Sequence, residues 1–174
     1  MTCLEIVGRL VAERFPLSLI YRPHKNPVFE DMMTKARKSY TSDVIDREDV
    51  RKMVRSLKNN HLIWYAPDQD FGRDNAVFVP FFSRPAATTI ATARLVKMTG
   101  CAIIPISFYR LEDNQGYKLI FHKSWDQFPS GDEVQDATQV NQFVESVIQL
   151  APEQYLWAHR RFKTRPEGEE GLYA

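Results

Sequence analysis

Two β-prone runs with a carboxylate-bearing break between them constrain this chain more than any other feature. The stretch from His61 to Phe82 reads HLIWYAPDQDFGRDNAVFVPFF. Leu62 to Tyr65 is apolar or aromatic, the pattern of a buried strand. Pro67 breaks it, and Asp68-Gln69-Asp70-Phe71-Gly72 then offers two carboxylates and a glycine, with only Phe71 to bury. Ala76 to Val79 is a second β-prone run, closing on Pro80. A buried strand that ends in such a loop is where α/β folds put their chemistry. The same residues suit an ordinary turn whose aspartates cap loop backbone, and pattern alone leaves both readings open.

The rest of the chain supplies helices and strands in alternation. Leu4, Ile6, Val7, Leu10 and Val11 give an apolar face at helical spacing with no lead-in beyond Met1-Thr2, so the chain is expected to begin inside a half-buried helix. Phe15-Pro16 stops it, and Leu17 to Tyr21 reads as a short strand. The loop Arg22-Pro23-His24-Lys25-Asn26-Pro27 follows, in which Asn26 can cap and Pro27 can start a helix. Phe29, Met32, Met33 and Ala36 line one face of that helix, and Arg37-Lys38 load its last turn in accord with the helix dipole. Asp46 is expected to open the next helix, with Val50, Met53, Val54 and Leu57 facing inward and Asn59-Asn60 ending it.

Beyond Phe82, Pro85 and the small residues Ala86 to Ala93 predict a helix lying close to a neighbouring backbone, with Gly100 at its C-terminus. Cys101 to Tyr109 is strand-like, and Pro105 within it marks a strand end or bulge. A hairpin through Asn114-Gln115-Gly116 leads to a strand from Tyr117 to Phe121. Trp125 to Asp136 reads as loop, and Val140, Phe143, Val144, Val147 and Ile148 as a helix halted at Pro152. Pro166 to Ala174 reads as a mobile acidic tail. The alternation predicts an α/β fold, a mixed sheet flanked by helices, in one domain over 1–165.

Composition excludes several classes. At 174 residues, 44% hydrophobic and 26% charged, the chain is long enough for a core and too apolar for disorder. A net charge of +1 gives no global field for nucleic acid, so any polyanion site is local. Two cysteines make no disulfide framework and lack metal spacing. No apolar run approaches the ~20 residues that span a bilayer, and no signal peptide is visible.

Two local features invite chemistry. Asp68 and Asp70 resemble the D-x-D by which metal-dependent glycosyltransferases hold a divalent cation, a spacing common by chance. Arg160, Arg161, Lys163 and Arg165 lie beside Tyr155, Trp157 and Phe162, which suits an anionic lipid interface as well as an exposed basic helix end. No nucleophile elbow, Walker or dinucleotide glycine pattern is present.

Together, TCLEIVGRL, YRPHKNP with Arg37 downstream, WYAPDQDFG with VFVPFF, AATTIATARLVKMTGCAIIPI and APEQYLWAHRRFKTRPEG make the chain resemble the late acyltransferases of lipid A biosynthesis. That resemblance implies a glycerolipid acyltransferase-like α/β fold. It implies Glu5, Arg37 and Asp68 as catalytic residues, and Pro105 as the proline of the family's last sequence block. Arg22, Lys25, Asn26, Arg160, Arg161 and Lys163 are then the expected substrate-binding residues, and Asp70 a supporting loop residue.

The implied partners are acyl-carrier protein, whose thioester is the acyl donor, a lipid A precursor, and a membrane surface at the cytoplasmic face of the inner membrane. No metal, other cofactor or nucleic acid is implied. The family's general-base histidine is expected immediately before Met1, with a membrane anchor, a helix and a first strand ahead of it. None of His24, His61, His122 and His159 has an acid five residues on. Glu5, near its usual pKa of about 4.3, is a weak base for an alcohol. General-base catalysis supplies ~10²–10⁴-fold, so the chain as written is expected to be inactive alone. The alternatives are a non-catalytic protein that binds an anionic glycolipid, and the metal-dependent glycosyltransferase.

Overall fold

The computed structural model describes residues 4–173, which divide into two units, one from Leu4 to Tyr65 and one from Ala66 onward. The first contains α1 (Leu4–Ala12), β1 (Leu17–Tyr21), α2 (Pro27–Lys38), β2 (Asp43–Asp46), α3 (Val50–Lys58) and β3 (Leu62–Trp64). Its sheet is parallel with β1 in the middle, Leu19 pairing with Val44 of β2 and with Trp64 of β3. Parallel neighbours need helical crossovers, which α2 and α3 provide. Side chains alternate along β1, and two contacts show what covers each face. Ser18 Oγ lies 2.8 Å from Ser56 Oγ on α3, whereas a Cβ at Gly8 of α1 would stand 3.9 Å from Leu19 Cδ2. Helices therefore cover both faces, with Val7, Val11, Leu17, Ile45 and Met53 buried.

One expectation fails in this unit. Asp46 closes strand β2 and does not open a helix, because the β-branched Val44 and Ile45 are buried beside β1. The helix starts three residues later, where the Asp49 side chain accepts from Lys52 N at 3.0 Å.

The second unit contains β4 (Ala76–Phe81), β5 (Arg84–Thr89), α4 (Ala91–Thr99), β6 (Ile106–Arg110), β7 (Tyr117–Phe121) and α5 (Glu133–Leu150). The strands form two antiparallel hairpins, β4–β5 and β6–β7. Phe82 and Ser83 make the first turn, both at positive φ as a tight two-residue hairpin loop requires. Phe82 N donates to Glu145 on α5 at 2.9 Å. Against expectation, Ala86 to Thr89 is strand and α4 begins only at Ala91. The small side chains do permit close packing, but the element is a strand and its partner is α5. Asn141 on α5 donates to Pro80 O at 2.9 Å and to Thr88 Oγ1 at 3.0 Å. Phe81, Ala86, Ile148 and Tyr155 form the core beneath.

Pro105 lies just ahead of β6, where a missing N–H costs nothing, and its carbonyl accepts from His122 N at 2.9 Å. Helix α5 starts at Glu133, inside the expected loop, because Asp132 caps it by accepting from Val134 N at 2.8 Å. Residues from Pro166 form no regular element but turn back on the unit. Tyr173 Oη accepts from Phe162 N at 3.1 Å, and the Arg160 guanidinium lies 5.6 Å from the Tyr173 ring. Among the described residues no helix is long and apolar enough to cross a membrane. The α/β class is as expected, with the strands shared among three small sheets.

Candidate functional site

In the first unit the fold brings together two residues that lie thirty-two positions apart, Glu5 and Arg37. Glu5 sits in the first turn of α1 and Arg37 in the last turn of α2. Arg37 Nε donates to Oε1 at 3.2 Å and to Oε2 at 3.4 Å, while Nη2 makes a further short bond to Oε1. The Arg37 side chain is only 14% exposed, and its guanidinium lies 5.8 Å from the Tyr21 ring. Tyr40 Oη donates to Glu5 Oε2 at 3.0 Å. The bonds from Arg37 hold the Glu5 carboxyl below its ordinary range against partial burial. Burial, with Glu5 as acceptor, pushes the Tyr40 phenol up to about 12. The group is a fixed carboxylate at neutral pH, suited to orienting a neighbour and unsuited to taking a proton from an alcohol. Tyr40 was missed at the sequence level, although it stands three residues past Arg37, on the turn that follows the helix.

The loop before α2 is organised by Glu30. Tyr21 Oη donates to Glu30 Oε1 at 2.8 Å, His24 N to Oε2 at 2.8 Å, and Thr34 Oγ1 to Oε1 at 2.9 Å. Arg22 and Lys25 are exposed on this loop. Asn26 is exposed there too, and its Oδ1 caps α2, accepting from Val28 N at 3.0 Å and Phe29 N at 3.2 Å.

Asp68, the third expected catalytic residue, belongs to the other unit. Its half-buried carboxylate makes no hydrogen bond among the described residues, yet its charge acts on Tyr155, His159 and Arg161. Asp70 is different. It is 7% exposed, and its oxygens accept from Gly72 N at 2.9 Å, Thr164 N at 2.7 Å and Thr164 Oγ1 at 2.9 Å. Burial raises its carboxyl, but those donors outweigh burial and hold it below the usual range. A carboxylate so fully engaged is poorly placed to share a cation with Asp68, and no group of three metal-ligating side chains occurs among the described residues.

The basic run divides. Arg160 and Lys163 are exposed, whereas Arg161 is 2% exposed. Arg161 donates to Ala87 O at 2.7 Å, Thr88 Oγ1 at 2.9 Å and Asn141 Oδ1 at 3.3 Å, over the Phe81 ring at 5.0 Å. The expectation that Arg161 meets substrate is corrected: its guanidinium joins β5 to α5 from inside. His159, weighed above only as a base, and Thr164, overlooked, lie in the same run and bond to Asp70 of the loop. Their polar type gave no signal without the hairpin that brings them there.

The profile of the bacterial lipid A biosynthesis acyltransferase family matches residues 1–164. The chain is 41% identical over 171 residues to the lipid A biosynthesis palmitoleoyltransferase of Escherichia coli (strain K12), covering 98% of this chain and 56% of that one. It is 40% identical over 171 residues to the lauroyltransferase of the same organism, with the same coverage. A lipid A biosynthesis acyltransferase of Haemophilus influenzae is 39% identical over 166 residues, covering 94% of this chain and 53% of that one. The chain thus spans about half the length of the curated relatives it matches. With the family profile running over residues 1–164 and 41% identity across 98% of the chain, the chain belongs to the bacterial lipid A biosynthesis acyltransferases.

Proposed function

We propose that this chain forms part of an O-acyltransferase that moves a fatty acyl group from an acyl-carrier-protein thioester to a hydroxyl of a lipid A precursor, at the cytoplasmic face of the inner membrane. The observation that carries this reading is 41% identity across 98% of the chain to a lipid A palmitoleoyltransferase. In the transfer, the acceptor hydroxyl attacks the thioester carbonyl, its proton passes to a base, the C–S bond breaks and the carrier thiol leaves. Glu5 orients that base, and Arg37 with Tyr40 keeps Glu5 ionised and pointed. Asp68, in the other unit, is the second carboxylate assigned to the reaction. Arg22, Lys25, Arg160 and Lys163 are the exposed cations available to phosphate groups of the precursor or an anionic bilayer. Leu156 and Trp157, both exposed beside Arg160, favour contact with a membrane surface.

We infer that the base is not among the four histidines. His159 Nε2 accepts from Asp70 N at 3.0 Å, His122 Nε2 is bonded to Ser107 Oγ at 2.8 Å, and among the described residues no histidine ring bonds a carboxylate. Polypeptide 1–174 assayed by itself is therefore expected to give no transfer. The protein encoded by the complete reading frame, given lipid A precursor and a panel of acyl-carrier thioesters, is expected to yield acylated product by mass spectrometry. A folded complete protein that acylates nothing in that assay would overturn the proposal.

A further inference from the structure

The Asp68 carboxylate makes no bond of its own among the described residues, so its direction depends on how the loop from Asp68 to Gly72 is held. Four hydrogen bonds tie that loop and the residue after it to a segment some ninety positions away. Asp70 N donates to His159 Nε2 at 3.0 Å, Thr164 N and Oγ1 donate to the Asp70 carboxylate at 2.7 and 2.9 Å, and Arg73 Nη2 donates to Arg165 O at 2.6 Å. Arg165 is anchored in turn, donating to Pro85 O at 2.8 Å. Because Nε2 accepts from a backbone N–H, neutral His159 carries its proton on Nδ1, and that acceptor is not free to take a proton from a substrate. Asp68, Asp70, Arg161 and Lys163 are the charged groups that bear on it.

We propose that His159, Thr164 and Asp70 form a clasp that positions Asp68, making them positioning residues for acyl transfer. The proposal rests on the reading that Asp68 serves that reaction. The segment from Tyr155 to Arg165 then has two separate jobs: Arg160 and Lys163 face outward, while His159 and Thr164 face the loop.

The test uses the protein encoded by the complete reading frame, with kcat and KM measured for acyl transfer. Thr164→Val and His159→Leu are expected to lower kcat by about ten- to a hundredfold with little change in KM, the size that a slight misplacement of a reacting group produces. Thr164→Ser and His159→Gln, which keep a donor and an acceptor, are expected to recover most of the loss. In an Asp68→Asn background Thr164→Val should slow the residual reaction no further, since it acts through Asp68. If Thr164→Val does not fold, Arg73→Ala removes one exposed bond of the same clasp and should show the same dependence on Asp68. Slow Asp68→Asn enzyme beside normal Thr164→Val and His159→Leu would overturn the clasp alone, as would an additive double variant. Full activity of Asp68→Asn would overturn the underlying reading, and the clasp with it.

Discussion

Glu5 shows how much of a carboxylate's chemistry is set by its donors. Alone on the first turn of a helix it would be an exposed acid. With the Arg37 fork across both oxygens and Tyr40 on one of them, it is an anion of fixed direction. The fork matters more than the charge. Arg37→Lys keeps the cation and loses the paired geometry, and in the complete protein it is expected to lower kcat by more than about tenfold. Tyr40→Phe removes one donor and leaves the ion pair, so its kcat should fall less. Steady-state kinetics of the two variants check this order; an Arg37→Lys enzyme with undiminished kcat would show that charge, and not direction, is what Glu5 receives from Arg37.

At the scale of elements, turn and cap chemistry decided the boundaries. Gly100 ends α4 at φ 69, its N–H donating to Val96 O at 2.7 Å. A Cβ there would meet nothing within 4 Å, so the cost of Gly100→Ala is backbone strain alone, about 1 kcal/mol in chemical denaturation. The β5 segment was the harder case. Ala86, Ala87, Thr88 and Thr89 carry no periodicity that separates strand from helix, and what settles it is pairing with β4 under α5. Arg161 locks that arrangement from inside. Arg161→Ala leaves Ala87 O and Asn141 short of a donor and is expected to cost about 2–3 kcal/mol, the range for hydrogen bonds to a charged group. Arg160→Ala and Lys163→Ala, at exposed positions, should stay within about 0.5 kcal/mol of the parent.

Across the whole molecule, Glu5, Asp70 and His159 are among the groups that give stability a direction with pH. Glu5 and Asp70 have folded pKa values below their ordinary values of 4.5 and 3.8. Their stabilisation is complete above those values and is lost as pH falls through the lower folded ones. Burial depresses His159 from 6.5, so the unfolded chain takes up that proton more readily, and stability declines as pH drops below 6.5. Thermal melts across pH are expected to show a first decline below about 6.5 and a second in the carboxylate range. His159→Gln, which keeps an acceptor for Asp70 N and cannot titrate, should weaken the first decline and leave the second in place.

What the sequence alone determined is local. Apolar spacing, Asn26-Pro27, Gly100 and the Asn114-Gln115-Gly116 turn each act within a few residues, and α1, β1, α2, β7 and the end of α4 lie where those signals put them. The motif order pointed to the family for the same reason, because it is written in the chain. Tertiary structure decided the rest. It set Asp49 ahead of Asp46 as a helix start, made a strand of Ala86 to Thr89, and turned Arg161 inward while Arg160 and Lys163 stayed out. It also separated the two aspartates of the opening stretch, engaging Asp70 with Thr164 and leaving the Asp68 carboxylate unbonded among the described residues. Those outcomes depend on partners in other elements, up to 94 positions away, and a side chain's role follows from what faces it, which no local pattern encodes.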